Sequence, residues 1–128
     1  MAITKIIADS ITSGAIANTP AFEAYLSSAQ SVSDATETKV QCDTEVFDSD
    51  NCYDNSTNYR FTPTVAGKYF VYVNLLGNAS GDNLLASQIA TIKKNGSEYA
   101  ASNVQFFTNY EKQHTIMISH IIDMNGSS

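Results

Sequence analysis

The run Lys68-Tyr69-Phe70-Val71-Tyr72-Val73-Asn74-Leu75-Leu76 constrains the fold of this chain more than any other stretch. Its aromatic and β-branched residues fit a pleated, half-buried surface and disfavour a helix. In a strand successive side chains point to opposite faces, so Tyr69, Val71 and Val73 share one side and Phe70 and Tyr72 the other. Both sides are apolar, and a strand of this kind needs cover twice. We therefore read residues 68–76 as the centre of a sheet.

The rest of the chain carries the same period. Phe22 to Leu26 reads as a short strand, and the Ser- and Ala-rich run 27–38 as a loop. Lys39 to Val46 alternates polar with Val40, Cys42, Thr44 and Val46, which predicts a half-buried strand with Cys42 inward. Asp48 to Asn58 is a polar turn region, Tyr59 to Thr62 a short strand, and Pro63 to Gly67 a turn. Asn95-Gly96, between Leu84–Lys93 and Glu98–Ser102, predicts a tight hairpin because both turn residues must take positive φ. Val104–Thr108 and Gln113–Asp123 read as two further strands, the latter with His114, Ile116, Ile118, His120 and Ile122 on one face; Asn125 to Ser128 reads as a turn that leads nowhere. Seven or more short strands without helical periodicity predict an all-β, antiparallel jelly-roll sandwich. Its extent is 20–128, preceded over 1–19 by an extended arm whose isolated isoleucines are too few for a core.

Charge and length narrow the function. A net charge of -6 is the wrong sign for neutralising phosphates, so neither nucleic acid nor an anionic membrane surface is an expected partner. No apolar run approaches the ~20 residues that span a bilayer, so no membrane insertion is expected. Asp9 interrupts the apolar residues after Lys5, so the start of the sequence lacks the pattern of a secretory signal. With 128 residues the chain suffices for one domain.

The residues that could carry chemistry argue for none. Cys42 and Cys52 are compatible with a disulfide or with two thiols, and no second pair makes a zinc site. His114 and His120 lie roughly 20 Å apart along an extended strand, too far to share an ion. Asp48, Asp50 and Asp54 begin like a calcium loop, but Tyr53 and Tyr59 stand where its Gly and bidentate Glu belong, which excludes the hand-type loop and leaves an acidic turn or a nonstandard calcium site. No nucleophile elbow and no Gly-rich phosphate loop is present. The expectation is a non-enzyme without cofactor or metal. Tyr53, Tyr59 and Tyr110 near loops could contact a receptor or glycan, as readily as they could pack.

Asp48, Tyr53, Phe61, Gly67 and Tyr69, within Arg60-Phe61-Thr62-Pro63 and Val65-Ala66-Gly67-Lys68-Tyr69-Phe70, resemble the jelly-roll head shared by the recognition subunits of complement's first component and by tumour necrosis factor. The likeness covers most of 20–123. Cys42 stands where that family has Phe, one extra residue separates Tyr53 from Phe61, and Val71 and Val73 replace aromatics. The family's two further strands have no counterpart after residue 123, so either the sequence is clipped or a neighbouring chain supplies the missing strand. The segment Ile3 to Phe22 resembles the lead-in of fibre and structural proteins of tailed, notably marine, bacteriophages that carry such heads.

These resemblances imply a homotrimer in which Tyr69 faces inward and Phe70 and Tyr72 meet the sister subunits, with His114, Ile116 and Ile118 at the same interface. They imply a virion component, a fibre, tail appendage or capsid decoration, tied to other virion proteins through its arm and able to meet a host receptor or glycan. The alternative is a secreted trimeric recognition module of the complement or tumour-necrosis type. Histidines at the interface would make assembly sensitive to mild acid.

Overall fold

The computed structural model describes residues 20–108 and 110–126; the expected arm over 1–19 lies outside them. Every described element is a strand: β1 (Phe22–Tyr25), β2 (Thr44–Asp48), β3 (Tyr53–Asp54), β4 (Arg60–Phe61), β5 (Ala66–Asn78), β6 (Ser87–Lys94), β7 (Ser97–Gln105) and β8 (Gln113–Asn125). They pair as β1 with β2, β3 with β4, β5 with β8 and β6 with β7. The chain is thus all-β. The described residues form two compact units, one from 20–67 together with 124–126, the other from 68–108 and 110–123.

In the first unit β1 and β2 run antiparallel, with a register shift between Glu23 and Ala24. Glu23 opposes Phe47 and Ala24 opposes Glu45, so Val46 is the extra residue of a bulge and is exposed. The expected common face therefore ends early: Val40, Cys42 and Thr44 are half-buried, but Val46 points to solvent. Residues 39–43 also lack the expected strand ladder. Instead the Gln30 amide donates to the Lys39 carbonyl at 2.8 Å and accepts from the Gln41 N–H at 2.9 Å, taking the place of a neighbouring strand.

Strand β3 lies inside the stretch expected to be a polar turn. Tyr53 opposes Phe61, and Phe22 stacks on both rings at 4.6 and 4.7 Å. Such stacking adds about 0.5–1.5 kcal/mol per pair beyond area burial. Nor is the end of the chain an idle turn. Gly126 has φ +69°, and a Cβ there would overlap the backbone of Thr64, Val65 and Ala66. Positive φ and a backbone overlap act together, so Gly126→Ala should lower stability by about 2 kcal/mol or more in urea unfolding. A change within a few tenths would show that the backbone gives way.

In the second unit the hairpin expected at Asn95-Gly96 forms, with φ of 52° and 81° and Lys94 opposite Ser97. β7 runs unbroken from Ser97 to Gln105, so the two strands expected on either side of Asn103 are one. Its core comprises Ala90 and Ile92 of β6 and Ile116, Ile118 and Ile122 of β8. β5 alternates throughout: Tyr69, Val71, Val73 and Leu75 are half-buried, while Phe70, Tyr72, Asn74 and Leu76 are exposed.

Candidate functional site

Strands β5 and β8 lie side by side. Lys68 reaches Asp123 at 3.7 Å, and the Tyr72 hydroxyl donates to Met117 Sδ at 3.3 Å, so numbers rise on one strand as they fall on the other. In such an antiparallel pair the even residues of β5 and the odd residues of β8 share a face. Five large apolar residues on that face are exposed, among the polar Asn74, Gln113, Thr115 and Ser119: Phe70 is 71% exposed, Tyr72 55%, Leu76 63%, Met117 58% and Ile121 57%. Together they offer on the order of 500 Å² of apolar surface, comparable to the largest patch of an ordinary monomer, which is often a functional surface. Phe70, Ser119, His120 and Ile121 line an open depression in it of about 380 Å³. Its charged pair is Lys68 with Asp123, which offset one another.

The structure separates the residues expected at one interface. Phe70 and Tyr72 stand on the exposed face. Ile116 and Ile118, with 4% and 8% exposure, are core residues of the single chain and cannot also meet a sister subunit. The reason is parity: Ile116, Ile118 and Ile122 of β8 are buried on the side opposite to the even residues of β5, whereas His120, expected on their face, is exposed. His114 is half-buried, its Nδ1 3.3 Å from Glu111 and its ring edge-on to Phe106. It belongs with the inward set as well. Met117 and Ile121 take the places on β8 that sequence reasoning gave to Ile116 and Ile118. What sets them there is register, which in this pair places odd residues of β8 beside even residues of β5. His120 is exposed, donates from Nδ1 to the Ile121 carbonyl at 2.9 Å, and meets Tyr99 edge-on.

The acidic turn has a structural task. Asp48 accepts the N–H groups of Cys52 at 3.0 Å and Tyr53 at 2.8 Å, which sets up β3. Asp54 accepts those of Ser56, Thr57 and Asn58 at 2.9–3.0 Å. The backbone donors of Thr57 and then Ser56 hold its carboxyl far below the ordinary carboxylate range, against the opposing pull of desolvation. A depressed folded value stabilises the loop above the ordinary value near 3.8 and loses that contribution as pH falls below it. Amides of Ser56, Thr57 and Asn58 should thus lose protection from exchange, relative to their unfolded rates, in Asp54→Ala at neutral pH, and in the native chain only under acid. Equal protection in both proteins would contradict this role.

Both cysteines are free thiols. Cys52 is buried, while partial burial and then the Asp43 charge push the Cys42 thiol up. The Tyr53 hydroxyl donates to the Cys42 carbonyl at 2.9 Å, and burial pushes its pKa up to about 12. Among the described residues no three His, Cys, Asp or Glu side chains converge as a metal site would require. The chain matches no protein-family model, no curated protein and no solved structure.

Proposed function

We propose that this protein is a non-enzymatic structural and adhesive module that assembles as a homotrimer through the outer face of β5 and β8. In this reading its strands belong to a jelly-roll head, and it serves in the virion of a tailed phage as a fibre, tail appendage or capsid decoration. The observation that carries the assembly reading is the exposed row Phe70, Tyr72, Leu76, Met117 and Ile121. Six apolar residues are buried among those described, against fifteen large apolar ones left exposed, so a single copy has a thin core beside a broad apolar surface. The occupant that fits is a second copy of the same chain. At a net charge of -6 copies repel generally, and a face whose charged groups are one self-compensating pair is where they approach most cheaply.

The chemistry-bearing side chains support a non-enzymatic role because they are engaged elsewhere: Asp48 and Asp54 hold backbone amides, and Cys52 lies in the core. The virion reading rests on the resemblances of the head and arm, and capsid and tail genes flanking this one would support it.

Methionine oxidation tests the assembly face. Met117 in the assembled protein should resist dilute peroxide and should oxidise readily once Phe70→Asp has opened the interface. Equal rates in the two proteins would overturn the assignment.

A further inference from the structure

We infer that Asn95 is a self-modification site, where the chain converts its own asparagine to aspartate and isoaspartate. Asparagine is chemically labile, most of all before glycine, which has no side chain to obstruct the attack. Asn-Gly-Ser occurs at 95–97 and again at 125–127, so both asparagines share one intrinsic chemistry and only the fold tells them apart. The first step closes a ring. The Gly96 backbone nitrogen gives its proton to solvent base and bonds to Asn95 Cγ, while the side-chain nitrogen takes a proton and leaves as ammonia. Water then opens the succinimide. Attack at Cγ gives aspartate; attack at the main-chain carbonyl carbon gives isoaspartate, whose backbone runs through the former side chain.

Ring closure needs a free attacking N–H and room for the Asn95–Gly96 linkage to rotate until that nitrogen meets Cγ. The hairpin supplies both. Asn95 and Gly96 are exposed and form the two-residue tip between Lys94 and Ser97. Such a tip leaves the N–H of its second residue outside the ladder, and the Gly96 N–H has no hydrogen-bond partner among the described residues. No atom beyond the chain neighbours lies within 4 Å of where a Gly96 Cβ would stand, so the tip turns without displacing a packed group, and opening there costs little. At Asn125 the fold withholds that room. Asn125 closes β8, and a Cβ on Gly126 would lie 2.4 Å from the Ala66 nitrogen, so its linkage rotates only if the chain end lifts off that backbone. Asn55, before Ser56, is held in another way, since the Ser56 N–H donates to Asp54 at 3.0 Å. Either product at position 95 sets a carboxylate beside Lys93 and Lys94, and isoaspartate adds a backbone carbon to a loop whose length fixes the hairpin register. The inference stands or falls separately from the assembly face.

Peptide mapping of the full chain after incubation in mildly alkaline buffer tests it, with electron-based fragmentation to tell the two isomers apart. The peptide holding Asn95 should gain one mass unit, as both aspartate and isoaspartate, about tenfold or more faster than the peptide holding Asn125. In urea that unfolds the chain, the two rates should converge, because the sequences around the reacting atoms are the same. No gain at Asn95, equal rates in the folded chain, a faster Asn125, or a ratio that urea leaves unchanged would overturn the assignment.

Discussion

Replacing Phe70 with Asp is expected to convert the assembled protein into a soluble, folded monomer. Phe70 is 71% exposed in the single chain, so the substitution removes little of the protomer's own packing. At a covered interface the account changes entirely. Each copy loses the burial of an aromatic ring, about 2 kcal/mol, and gains a carboxylate that must be desolvated. The nearest compensating cation is Lys68, already beside Asp123. Symmetry repeats the penalty in every copy, and no ordinary interface survives several such losses. Met117→Asp should act in the same way from the neighbouring strand. Ile89→Asp, at an equally exposed site on β6, should leave the assembly intact. Light scattering on the three variants decides the matter, and a trimeric Phe70→Asp would show that the face lies elsewhere.

The largest loss of protomer stability is expected from Ile122→Ala. Ile122 is 1% exposed, the most deeply buried large side chain among the described residues. Truncation removes its methyl and methylene groups and leaves a cavity in a core that has few other members to close it, which costs about 2–5 kcal/mol. Against a total stability of about 5–15 kcal/mol that is a large fraction. Ile122→Val should cost about 0.5–1.5 kcal/mol. Ile121 makes the contrast: it is the next residue, 57% exposed on the opposite face, and in the monomeric Phe70→Asp background Ile121→Ala should change unfolding by less than about 0.5 kcal/mol. Urea unfolding of both truncations in that background measures the difference. A larger loss at Ile121 than at Ile122 would reverse the faces of β8.

Features of period two and of turn chemistry were legible in the sequence. The alternation of the strand at 68–76, the Asn95-Gly96 hairpin and the isoleucine row of β8 each depend on neighbours along the chain, and each is where the local pattern places it, but the expected place of 68–76 at the centre of a sheet is not found: among the described strands β5 pairs with β8 alone. What depends on register was not. Which face of β8 lies beside Phe70 follows from how two distant strands align, and no local pattern states whether Met117 or Ile116 stands there. The bulge at Val46 likewise arises from a shift between β1 and β2. Strand β3 hid in a polar run because Asp48 and Asp54 satisfy the turn amides around it from side chains.

The most direct measurement is the mass of the intact chain by sedimentation equilibrium at micromolar concentration and neutral pH. Cover of the β5 and β8 face by sister copies predicts three times the chain mass of 13.9 kDa. A single species of one chain mass, with Phe70 and Met117 open to solvent, would contradict it.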